Sequence, residues 1–71
     1  MNTMTKVNVS WWVVINGEGQ ILGVYGSALQ DMAEKNAQAI RDAGFSWARI
    51  DVKCIQRPQG ERPAVGQKVL L

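Results

Sequence analysis

Val7-Asn8-Val9-Ser10-Trp11-Trp12-Val13-Val14-Ile15, then Asn16-Gly17-Glu18-Gly19, then Gln20-Ile21-Leu22-Gly23-Val24-Tyr25, is the stretch that decides the fold. Val7, Val9, Trp11, Val13 and Ile15 recur at every second residue, which is the period of a β-strand whose side chains alternate between faces. The intervening residues turn apolar at Trp12 and Val14, so both faces of this strand are apolar at its end. That is the pattern of a central strand covered on both sides. Asn16 to Gly19 then supplies a hairpin turn, because Asn and Gly tolerate positive φ where other residues are strained. The second strand, Gln20 to Tyr25, places Ile21, Gly23 and Tyr25 on one face and Leu22 and Val24 on the other.

Downstream, the period changes from two to about 3.6. Leu29, Met32, Ala33, Ala37, Ile40 and Ala43 form one apolar stripe, while Gln30, Asp31, Glu34, Lys35, Gln38 and Arg41 form the wet side of a helix. Ser27 with Gln30 three residues on fits a capping box that opens this helix. Gly44 is placed to close it in the left-handed conformation. A third strand is expected over about Trp47 to Ile55, with Ala48, Ile50, Val52 and Cys54 alternating against Trp47, Arg49, Asp51 and Lys53. Arg57 to Pro63 contains two prolines, which lack amide donors and exclude helix or central strand. Val65 to Leu71 reads either as a short edge strand or as a partner-seeking arm.

The order β-β-α-β implies an α+β fold: one small domain, residues 1–71, with its ordered core at about 6–56 and a Pro/Gly-containing C-terminal arm at 57–71. A crossover over the central strand gives a three-stranded sheet of order 2-1-3 with the helix on one face. The helix is expected to cover that face through Leu29, Ala33, Ala37 and Ile40, and nothing of comparable length is expected over the other.

Composition narrows the functions open to such a domain. The chain has 71 residues, no histidine, one cysteine and a formal net charge of +2. Imidazole is the usual general base, and imidazole or thiolate the usual zinc ligand, so neither enzyme chemistry nor a metal or cofactor site is expected. Asp31 and Glu34 read as a solvated first helical turn favoured by the helix dipole. Gly17 and Gly19 precede a strand, whereas a phosphate-binding loop must open a helix. Cys54, on the face of Ile50 and Val52, reads as a small core hydrophobe. A single cysteine permits no internal disulfide, and the first six residues show no signal-peptide pattern, so a cytoplasmic location is expected. The longest apolar run, Trp11 to Ile15, is far short of a membrane span of ~20 residues.

The surplus of large apolar side chains therefore points to binding. Trp11 and Trp12 are adjacent and must face opposite sides of the sheet, so one of them faces away from the helix. The expected contact surface for a protein partner comprises Trp12, Val14, Leu22, Val24 and Trp47, with Arg49 and Lys53 at its rim. A homodimer through this open face or the C-terminal arm is the expected assembly, since so small a core gains much from a partner. The alternative is a nucleic-acid binder using Trp47, Arg49 and Lys53 with Arg57, Arg62 and Lys68 of the basic C-terminal part. From Arg49 onward five cations face two acids, an excess interrupted by Asp51 in the middle of the row.

The segment Trp12 to Ala43 resembles, in its element order alone, a common type of small bacterial or phage-encoded domain: a strand, an Asn-Gly turn, a strand ending in Gly-Val-Tyr, then a helix. Many such chains bind and block a host protein. The resemblance implies a phage or mobile-element accessory protein that inhibits a host complex, and it carries no site residue of its own.

Overall fold

The computed structural model describes residues 7–45 and 49–69. The chain forms strand β1 (Asn8–Ile15), strand β2 (Ile21–Gly26), helix α1 (Gln30–Ile40) and strand β3 (Asp51–Pro58). The sheet has the order β2-β1-β3, and both neighbouring pairs are antiparallel. The fold is thus the expected three-stranded α+β domain with β1 in the centre.

Asn16 closes the first hairpin with its side chain as well as its position. Its Oδ1 accepts from the amides of Glu18 and Gln20, both at 3.0 Å. Gly19 takes the positive φ of 79° that the turn requires. Beyond the turn the pairing slips: Val14 lies opposite Gly23 but Ile15 lies opposite Ile21. Leu22 is the extra residue of a β-bulge, which breaks the period of two. Ile21 and Val24 consequently fall on one face, and Leu22 packs on the other with Tyr25. The expected pairing of Leu22 with Val24 fails for this reason.

Helix α1 starts at Gln30 rather than at Ser27. The Leu29 amide donates to the Gly26 carbonyl at 2.9 Å, closing a turn over Gly26 to Leu29, and no side chain caps the helix. A π-helical turn, Arg41–Phe45, follows Ile40, and Gly44 ends it at φ 99°. Arg41 fastens the end of the helix to the approach to β3: its Nε and Nη2 donate to the Ile50 carbonyl at 3.2 and 2.6 Å. Arg49 sits at φ 54°, a left-handed conformation that ends strand geometry. The third strand accordingly begins at Asp51 and runs to Pro58; Trp47 lies outside the described residues.

Two apolar layers result. On one face of the sheet Val14, Ala33, Ala37 and Ile50 form a buried cluster, joined by the half-buried Trp12, Leu22, Tyr25, Ile40 and Val52. On the opposite face Val13, Ile15 and Ile21 are buried, with Val24, Ile55 and Val69 packed against them. This second face was expected to stand open, and it does not. After β3 the chain folds back across it: Pro63 is buried, and Gly66, Gln67 and Val69 hydrogen-bond to Ile21 and Gly19 along the outer edge of β2. Gln20 and Lys68 form an isolated antiparallel bridge there. An apolar strip only a few residues wide needs no helix to cover it, and an irregular segment anchored by backbone hydrogen bonds suffices. Among the described residues no helix is long and apolar enough to cross a membrane.

Candidate functional site

The residues expected to form one contact surface are divided between the two faces of the sheet. Trp12 lies on the helix side, half-buried, and its Nε1 donates to the Ser27 carbonyl at 3.0 Å. Val14 is fully buried beneath the helix, and Leu22 is half-buried on the same side. Val24 belongs to the opposite face, where it lines a shallow depression with Arg62, Pro63, Ala64 and Val65. Lys53 is exposed on that same opposite face, across from Val13. Arg49 is exposed ahead of β3 and does not share its row.

Trp11, which lies under the arm, is the aromatic that takes part in an ordered contact on the second face. The Arg62 guanidinium carbon lies 5.7 Å from its ring centroid, a cation–π distance. The Trp11 Nε1 is buried without a hydrogen-bond partner. Lys53 and Arg57 of β3 face the same side, across from Val13 and Val9. Parity groups Trp11 with Val13 and Ile15, but it does not say which face the helix covers; the helix takes the face of Trp12 and Val14, which the sequence reading expects to stand open, and the arm takes that of Trp11.

The helix carries a second apolar stripe that its primary stripe concealed. Ala33 and Ala37 are buried and Ile40 half-buried, whereas Leu29 and Met32 are 41% and 52% exposed. Both had been expected to pack inward. Leu29 precedes the helix at φ −112° and ψ 33°, so it leaves the helical register and stays exposed at the helix start, while Met32 and Ala39 fall beside the filled face of Ala33, Ala37 and Ile40. Asn36 lies between them, and its Nδ2 donates to the Tyr25 hydroxyl, which fixes this flank to the sheet. Cys54 is exposed, and is not the core residue its alternation suggested. It does face the helix side, opposite Trp12. The helix packs mainly on β1 and β2, so Cys54 on the edge strand lies outside its cover.

Among the described residues no three His, Cys, Asp or Glu side chains gather where they would hold a metal ion. No protein-family model, no curated protein and no solved structure matches the chain.

Proposed function

We propose that the chain is a small non-enzymatic protein-binding module whose contact surface is the helix flank formed by Leu29, Met32 and Ala39. The observation that carries this reading is the exposure of Leu29 and Met32 one helical turn apart, beside a helix face that is already filled. Apolar side chains at i and i+3 with a further small residue at i+10 are the anchors by which a helix packs on another apolar helix or groove. Lys35 edges the stripe and would give the contact a polar rim. In its narrower form, taken from the resemblance in element order, the chain is a cytoplasmic phage or mobile-element accessory protein that inhibits a host complex.

The test uses the double variant Leu29→Lys/Met32→Lys. Both positions are solvent-exposed, so the far-ultraviolet circular dichroism and melting temperature should stay within a few degrees of the parent. A partner retained by the parent chain from host lysate should be lost by the variant. If both proteins retain the same set, the flank is not the contact surface.

A second reading has an observation of its own. Lys53, Arg57 and Arg62 share a sheet face with Trp11, an arrangement of cations around an aromatic that suits single-stranded nucleic acid. It predicts oligonucleotide affinity, followed by tryptophan fluorescence, that falls roughly tenfold or more between 50 and 200 mM salt as counterions are released. Affinity that is absent or indifferent to salt removes this reading.

A further inference from the structure

Among the described residues β3 is an edge strand: in the order β2-β1-β3 it pairs with β1 alone. Its hydrogen-bonding parity follows from one contact. The Gln59 amide donates to the Val7 carbonyl at 2.8 Å, which extends the β1–β3 register by one pair. Hydrogen-bonded pairs alternate along an antiparallel ladder, so Arg57, Ile55, Lys53 and Asp51 turn their backbone groups toward β1. Val52, Cys54 and Gln56 therefore turn theirs outward, and so does Pro58, which has no amide to leave unpaired there. Two of the outward groups are held by neighbouring side chains. The Val52 amide donates to Asp51 Oδ1 at 2.9 Å, and the Gln56 carbonyl accepts from Arg57 Nη1 at 3.1 Å. At the midpoint, Cys54 is exposed between them.

We propose that this edge pairs antiparallel with β3 of a second copy of the chain, with the two-fold axis through Cys54, giving one continuous six-stranded sheet. The charges along the strand select both the partner and the register. A two-fold pairing centred on Cys54 sets Asp51 opposite Arg57 twice and Lys53 opposite Ile55 twice, with no like charges facing. Centring on Lys53 opposes the two lysines, and centring on Ile55 sets Lys53 against Arg57. Centring on Val52 or Gln56 shortens the overlap and, in the second case, brings Pro58 into a position that needs a donor. Opposite-charge cross-strand pairs stabilise and like pairs destabilise an antiparallel ladder, most strongly in the non-hydrogen-bonded positions that Asp51 and Arg57 would occupy. The side chains that shield the edge in the single chain are the same ones that bridge it in the pair. A foreign strand would have to match this pattern by chance, whereas a second copy matches it by symmetry.

This inference goes beyond the role proposed for the helix flank and is independent of it, because β3 lies at the opposite edge of the sheet from β2. Sedimentation velocity of the full chain should show a dimer that Leu29→Lys/Met32→Lys leaves intact. Asp51→Arg and Arg57→Asp should each weaken the dimer by about tenfold, since each change turns two attractive pairs into two repulsive ones. The double exchange Asp51→Arg/Arg57→Asp should restore it, which separates a lost contact from a lost fold. Directly opposed residues in a hydrogen-bonded pair lie about 5.5 Å apart, inside the span of a disulfide. Diamide, which accepts the two thiol hydrogens as the S–S bond forms, should therefore convert the parent but not Cys54→Ser to a covalent dimer. A monomeric parent chain overturns the proposal. So does a dimer that neither cross-links through Cys54 nor responds to the charge exchanges.

Discussion

A chain cut after Gly60 should lose cooperative unfolding altogether. The removed segment supplies the buried Pro63, and Val69, which packs on the cluster of Val13, Ile15 and Ile21. It also supplies the backbone partners of Gly19 and Ile21: the Ile21 amide donates to Gln67, and Gly66 and Val69 donate to Ile21 and Gly19, each at 2.8 Å. Fully burying one aliphatic side chain contributes about 1.5–3 kcal/mol, so losing even half of that at Val13, Ile15 and Ile21 costs about 2–4.5 kcal/mol. Trp11 and Val24 lose Arg62 and Pro63 from the same face. A domain of this length has a total stability of only about 4–11 kcal/mol. The truncated chain should therefore show a broad, shallow urea profile by tryptophan fluorescence in place of a sigmoid. A sigmoid with a midpoint near that of the full chain would mean that the arm is an attachment and not a layer of the core.

That layer marks where the sequence stops being legible. The first strand, the Asn16 turn, the second strand, the helix and the place of β1 in the middle of the sheet all follow from patterns a few residues long, and local periodicity records these directly. The bulge at Leu22 is different. It arises where β2 must satisfy a buried Ile21 that is hydrogen-bonded to the arm and a buried Gly23 beside Tyr25 and Asn36, and neither demand is visible within β2. The arm is still less visible. Pro58 and Pro63 exclude helix and central strand, and Arg57 and Pro58 close the edge strand β3 two residues past the expected core; from Gln59 on the backbone is irregular, yet irregular backbone can cover an apolar face once its polar groups find partners. Treating irregular as uncovered makes the far face look open; Val24 parts from Trp12 because of the bulge at Leu22, and Lys53 because it pairs with Val13 and not with Trp12. The candidate surface suffered the same way. Adjacency requires that one of the two tryptophans leave the helix side, and it is Trp11, not Trp12, that does so. Leu29 falls outside the helix because the Gly26–Leu29 turn delays its start, and Met32 sits at the margin of an apolar stripe wider than the sheet covers.

Ile21→Ala should cost about 2–5 kcal/mol, the range for deleting a buried branched aliphatic side chain whose cavity cannot collapse. Ile21 is fully buried and is tied on both sides of its backbone. Its amide and carbonyl bind Gln67 and Gly66 of the arm, and it lies opposite Ile15 of β1 next to the bulge. Relaxation into the cavity would have to move the hairpin, the central strand and the arm together, so the upper half of the range is expected. For a domain of this size each kcal/mol shifts the melting temperature by about 4–8 °C, so a fall of at least about 14 °C is expected by circular dichroism. Met32→Ala supplies the contrast. It removes a side chain of comparable length from an exposed site and should stay within about 0.5 kcal/mol of the parent. Ile21→Val should fall between them, at about 0.5–1.5 kcal/mol, because one methylene is lost without loss of branching. Equal, small effects at Ile21 and Met32 would mean that the arm-side cluster is not a packed core. A graded series would establish that the segment after β3 and the hairpin unfold as one cooperative unit, which is the condition for β3 to present a rigid edge.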